Sequence, residues 1–253
     1  MTIVVAYKYA SNPQDTTVSS DGSVDWSRAK AAVSEYDPVA IQVGRGLADT
    51  CGTEMVGISV GATQIASSLA KKAALSRGLD RAVVVADDAC TTWNATQVAS
   101  ALAALVTRVD GANIVLAGDS SIDEAGRIVP PLIAGFLGWP CFQEVTAVER
   151  SDQGWTLTQS TAGGTRTIAV NGPVVVAIAT DAQAVKVPGM KDILAAGKKP
   201  LEQVPLADID TISVTLDVTG RAKPAAPSRA RQVFTGSDAP TALVDALRNA
   251  GVL

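Results

Sequence analysis

Histidine is absent from the 253 residues of this chain. That absence removes the Ser-His-Asp and Cys-His nucleophile systems, along with most zinc and non-haem iron sites, because imidazole is the base or the metal ligand in them. Chemistry must then come from carboxylates, lysine, hydroxyls, backbone amides or a bound cofactor. Cysteine is scarce as well. Cys51, Cys90 and Cys141 lie far apart with no CxxC unit, a pattern of scattered structural thiols rather than of a zinc site or a disulfide framework. Aromatic residues make up only 4%, too few for the stacking platforms that hold single-stranded nucleic acid. Net charge is −4, with Lys and Arg spread along the chain, so there is no basic footprint and nucleic acid is excluded as a partner. No run reaches the roughly 18 uninterrupted apolar residues of a membrane helix. The apolar start, Met1 to Ala10, contains Lys8 and reads as a strand, not a signal peptide. No membrane association and a cytoplasmic location are expected.

Hydrophobic residues make up 47% and charged residues 18%, enough for a core and too little charge for a disordered polymer. The first two-thirds of the chain alternates short β-branched runs with longer Ala/Leu-rich segments, which predicts βαβ units around a parallel sheet. Strands are expected at Ile3 to Tyr7, Met55 to Val60, Ala82 to Val85 and Asn113 to Ala117. Helices are expected from Asp37-Pro38 to about Ala48, Ile65 to Arg77, Thr96 to Val109, and Asp123 to Leu137. The last must bend or break, because Pro130-Pro131 removes two amide donors. After Trp139-Pro140, the alternating runs Phe142 to Val148, Trp155 to Ser160 and Thr165 to Val170 predict an antiparallel edge meander. The apolar run Val174 to Ala179 returns to the core. Residues 210 to 230 read as an extended arm or linker, and Asp238-Ala239-Pro240 caps a last helix, Thr241 to Asn249. Two regions follow: an α/β nucleotide-binding-type domain over residues 1–200, and a C-terminal arm with a partner-docking helix over 201–253.

An open α/β sheet binds ligands beyond the C-terminal ends of its parallel strands. Three loops qualify: Ala6-Tyr7-Lys8, Ser59-Val60-Gly61-Ala62, and Gly118 to Gly126. The second places small residues before a helix N-terminus, where free amides favour a phosphate, though a tight βα turn uses the same residues. No Walker A or GxGxxG motif is present. In the third loop, Asp119, Asp123 and Glu124 could form a carboxylate group or a magnesium site, but first-turn acids more simply cap a helix. Lys8 could approach a phosphate or a flavin, or could simply be a solvated loop lysine.

Several landmarks occur together in a specific order. They are Ala6-Tyr7-Lys8, Asp21-Gly22-Ser23-Val24-Asp25, Ser34-Glu35-Tyr36-Asp37, Ser59-Val60-Gly61 and Ala74-Leu75-Ser76-Arg77-Gly78. Then come Gly118-Asp119-Ser120-Ser121-Ile122-Asp123, Ala134 through Pro140, Pro173 through Ala177, and Val187-Pro188-Gly189-Met190-Lys191 through Pro200. Across nearly its whole length the chain resembles the beta subunit of electron-transfer flavoproteins, most closely the Fix-type branch linked to carnitine metabolism. The resemblance implies a mostly parallel, Rossmann-like sheet of the adenine nucleotide alpha hydrolase-like kind, with helices on both faces and an arm that wraps an alpha subunit. It implies FAD shared with, and mainly held by, that alpha subunit, with a soluble dehydrogenase or reductase as redox partner. It also implies an AMP, or a second FAD in bifurcating relatives, in the beta subunit.

Carried over by position, the AMP contacts are Ala6, Ser34 to Asp37, Val60 and residues within Ser121 to Leu132. Together with the loop argument this makes Ala6, Lys8, Ser34, Asp37, Val60, Gly61, Gly118, Ser121, Asp123 and Gly126 the candidate cofactor-binding residues. No catalytic or metal site is expected. The chain departs from the family where many members have Gln-Thr-Gly and this one has Ile128-Val129-Pro130. A proline donates no amide and valine has no hydroxyl, so the implied AMP site is weakened. At the hairpin, Gly163-Gly164 is kept, but Thr161-Ala162 replaces the usual acids. The leucine that anchors dehydrogenases in many relatives aligns with Ala182, which implies a partner other than the common acyl-CoA type. The expected role is thus an electron carrier subunit rather than a stand-alone enzyme. The alternative is a nucleotide-binding structural or regulatory module without electron transfer. An unsatisfied partner surface also leaves room for the isolated chain to homodimerise.

Overall fold

The computed structural model describes residues 1–212, 214, 216, 219–220, 222, 224–226 and 231–253. Part of the expected linker over 210–230 therefore lies outside the described residues. The strands in chain order are β1 (Thr2–Ala6), β2 (Tyr9–Ser11), β3 (Thr17–Val18), β4 (Val24–Asp25), β5 (Ala31–Val33), β6 (Met55–Gly61), β7 (Arg81–Ala86) and β8 (Ala112–Gly118). They continue with β9 (Cys141–Ser151), β10 (Gly154–Thr161), β11 (Gly164–Asn171), β12 (Val174–Ile178) and β13 (Leu201–Gln203). The helices are α1 (Asp37–Cys51), α2 (Ser68–Leu75), α3 (Ala95–Thr107), α4 (Val129–Leu137), α5 (Met190–Ala196) and α6 (Ala239–Asn249).

A nine-stranded sheet in the order β11-β10-β9-β12-β8-β1-β6-β7-β13 forms the body. Strands β12, β8, β1, β6, β7 and β13 pair in parallel, and β9, β10 and β11 form the antiparallel edge meander. The central strands read as unbroken apolar runs because both faces are covered. In β1, for example, Ile3 and Val5 pack with α1 and α2 on one face, while Val4 and Ala6 pack with α3 and α4 on the other. This is the α/β architecture expected, with helices on both faces. The meander reaches the parallel sheet through β9, whose first half pairs with β12 and whose second half pairs with β10. Both registers shift between those halves, and Glu144 there takes φ 55°, as in a bulge that redirects a strand.

Two helices differ from the pattern-based expectation. The predicted helix from Ile65 splits into a 3-10 turn, Thr63–Ala66, and α2. Ser67 makes the break by capping α2, its hydroxyl accepting the Ala70 amide at 3.2 Å. The helix predicted over Asp123 to Leu137 begins only at Val129. Pro130 and Pro131 stand in its first turn, where missing amides cost no intrahelical bond, so they start the helix instead of bending it. Strand β13 was not expected at all. It adds to the edge at β7, and the sheet thereby extends past position 200. Beyond it the chain runs back along α3: Arg108 donates to the Asp208 carbonyl, the Ser100 hydroxyl accepts the Ile212 amide at 3.2 Å, and Asn94 donates to the Val214 carbonyl at 2.8 Å. Helix α6 has no buried residue.

Candidate functional site

The chain passes from β1 through α1 and α2 to β6 and β7 on one side, then returns through α3 to β8 on the other side of β1. The order therefore reverses between β1 and β8, and a crevice opens there because the two crossovers diverge. A cavity of about 290 Å³ lies at this point. Of the ten candidate residues, nine line it: Ala6, Lys8, Asp37, Val60, Gly61, Gly118, Ser121, Asp123 and Gly126. Ser34 does not. Its buried amide donates to the Lys8 carbonyl at 2.9 Å, and its hydroxyl has no partner, so it supports the loop after β1 from behind.

Asp37 holds the switch point together. It is the first residue of α1, behind Tyr36 at the cap position, and it is buried. Its carboxylate accepts the Lys8 amide at 2.6 Å and the Gly118 amide, which joins the ends of β1 and β8 to the start of α1. Burial pushes its pKa up to about 7, against the opposing pull of those amides and of the Lys8 ammonium. An unfolded aspartate titrates near 3.8. The folded value is the higher one, so the contribution of Asp37 to stability is complete below the unfolded value and is lost as pH rises through about 7. Asp37→Asn cannot lose a proton, so the stability difference between variant and wild type should move in the variant's favour by roughly 1 kcal/mol between about pH 6 and pH 8. Thermal unfolding of both proteins across that range checks it; a constant difference would contradict the assignment.

The loop from Gly118 to Ile128 forms one rim. Ala125 and Arg127 both have positive φ, at 50° and 55°, uncommon for residues with side chains. Arg127 is held there by Asp119 at 2.8 Å and by Glu144, while its carbonyl accepts the Gln143 side-chain amide at 2.8 Å. Burial raises the Asp119 pKa, and the Arg127 guanidinium counters that rise. On the other side of the rim, Lys8 Nζ lies 2.6 Å from Asp123 and 3.8 Å from Glu124. Burial works to raise the Asp123 pKa, but the Lys8 contact holds it below the usual carboxylate range.

The opposite wall is apolar, formed by Trp93, Val98 and Leu102 with Val60 from β6. Sequence reasoning missed Trp93, Val98 and Leu102, although the loop after β7, which carries Trp93, obeys the same strand-end rule as the three loops that were chosen. It is tied to the loop after β6 by Thr63, whose amide and hydroxyl donate to Asp88 at 3.0 and 2.8 Å. Arg127 was missed for a better reason, since a single arginine inside a predicted helix carries no signal. Among the described residues, no group of three or more His, Cys, Asp or Glu is placed to hold a metal, and no helix is long and apolar enough to cross a membrane.

Residues 22–209, which include most of this sheet and its crevice, match the family model of the electron transfer flavoprotein domain. The chain belongs to the electron transfer flavoprotein family. Membership accounts for the fold, and it associates the protein with flavin-dependent electron transfer, a partner subunit and dehydrogenases in general. The cavity has the size and the polar-rimmed, apolar-walled character of a small-ligand pocket. Both cations on its rim, however, are already paired with carboxylates.

Proposed function

We propose that this chain is the beta subunit of a heterodimeric electron-transfer flavoprotein, working in the cytoplasm with an alpha subunit that holds most of a shared FAD. The order of its landmarks favours the Fix-type branch. The observation that carries this reading is a family-matched α/β body combined with exposed apolar surface that the body itself leaves uncovered. In α6, no residue is buried, and Leu243 and Val244 face solvent. A second patch surrounds α5, where Val187 is 83% and Met190 72% exposed. Exposed apolar surface of this kind marks partner sites. One patch suits the alpha subunit, and the other suits a soluble dehydrogenase or reductase.

Bound flavin supplies the redox chemistry. The residues of this chain bind, orient and tune. The crevice between β1 and β8 holds a nucleoside-type ligand with Ala6, Val60, Gly61, Gly118, Ser121 and Gly126 at close backbone approach, while Asp37 fixes the strand ends on which those residues sit. Lys8 and Asp123 close the rim as an ion pair. A chain lacking residues 231–253 should remain folded, because α6 buries nothing against the body. It should also lose co-elution with the alpha subunit in size-exclusion chromatography. A truncated chain that pairs as tightly as the full one would contradict the assignment of α6 to the subunit interface.

A further inference from the structure

The rim of the crevice next to α4 is poor in donors for a phosphate. A helix N-terminus holds an anion through the free amides of its first turn. In α4 those positions are Val129, Pro130 and Pro131, and the two prolines have no N–H. The next amide, that of Leu132, already donates to the Ile128 carbonyl at 3.1 Å. The two cations at the cavity, Lys8 and Arg127, are each committed to carboxylates at 2.6 and 2.8 Å. Four carboxyl side chains line the same space: Asp37, Asp119, Asp123 and Glu124. A phosphate entering here finds both lining cations already paired and sits beside like charge, with only loop amides and the Ser120 and Ser121 hydroxyls left to offset it. Such a like-charge contact opposes binding, and more strongly where screening is weaker.

Sugar hydroxyls place the opposite demand on a site. They donate hydrogen bonds, and a carboxylate accepts such bonds well. The Trp93, Val98 and Leu102 wall offers apolar surface to a planar ring. We propose that this pocket takes an uncharged nucleoside and discriminates against the corresponding nucleoside monophosphate. The proposal rests on the reading of the crevice as a nucleoside-type site, and it adds the ligand class.

Calorimetric titration of the full chain, alone and paired with its alpha subunit, with adenosine and with AMP near pH 8 tests it. Adenosine should bind at least about tenfold more tightly than AMP, the equivalent of one moderately screened like-charge contact. Raising the salt concentration should narrow the gap by screening that repulsion. Restoring donors with Val129→Thr and Pro130→Gly together should improve AMP at least about threefold while leaving adenosine nearly unchanged. AMP binding as tightly as adenosine in the wild-type protein overturns the inference but leaves the nucleoside reading standing. No binding of either compound, alone or in the pair, overturns both. The salt series keeps the test decisive if the double variant does not fold.

Discussion

Trp155→Ala should lower the unfolding free energy by about 3–5 kcal/mol, the usual cost of removing a large aromatic ring from a core. A domain is stable by only about 5–15 kcal/mol in total. Trp155 is completely buried on β10, the middle strand of the edge meander. Its ring joins the core that also holds α1 and α2. The indole N–H donates to the Asn113 side chain at 3.0 Å, which links the meander to β8. The Arg150 guanidinium lies 5.1 Å from the ring centroid and closes the outer side. The meander depends on this residue because its last strand, β11, is mostly exposed and contributes little core. Trp155→Phe keeps most of the apolar area and loses the N–H bond, so it should cost only about 1 kcal/mol. Chemical denaturation of both variants separates the cases: equal losses would mean that the hydrogen bond, not the ring volume, dominates.

Gly118→Ala should be nearly as damaging to stability, at about 1–3 kcal/mol, and more damaging to ligand binding. A Cβ at Gly118 would lie 2.7 Å from the Tyr36 carbonyl carbon and 2.8 Å from the Asp37 carboxylate. Both neighbours are fixed, the first as backbone and the second by the Lys8 and Gly118 amides. To make room, the start of α1 must move away from β8, and the crevice is defined by that closeness. The glycine is required by this approach rather than by backbone angle, since its φ is not positive. Gly135→Ala is the control: it lies on α4 outside the cavity lining, and an added Cβ there meets no described neighbour within 4 Å. Gly118→Ala should abolish nucleoside binding in calorimetry, and Gly135→Ala should retain it. Equal behaviour of the two would show that the crevice does not depend on the β8–α1 approach.

The parts of the fold that are legible in the sequence depend on local, periodic signals. Unbroken apolar runs such as Val174 to Ile178 mark strands covered on both faces, and Asp37-Pro38 marks a helix start. The hairpin glycines Gly163 and Gly164 mark a turn between β10 and β11. The strand-end rule then brings three distant loops to one crevice, because parallel strands share a C-terminal edge. What could not be read there depends on contacts remote in sequence. Strand β13 has only three residues, Leu-Glu-Gln, and exists because the open edge of β7 accepts its backbone. The loop before α4 reads as helical in the sequence, but Pro130 and Pro131 demand the first turn, so Ala125 and Arg127 are left at positive φ, with Arg127 tied by ion pairs to Asp119 and Glu144. Trp93 was overlooked because its wall depends on where the loop after β7 folds, which no periodicity encodes.

The central claim is that this family-matched body completes a flavin site only together with a companion subunit. The most direct test is to quantify flavin in protein purified alone and in protein co-purified with its alpha subunit, by absorbance after heat release. The account predicts a nearly colourless single chain and a yellow pair that releases FAD in stoichiometric amount. A purified, folded pair that carries no flavin and takes none up from added FAD would contradict it.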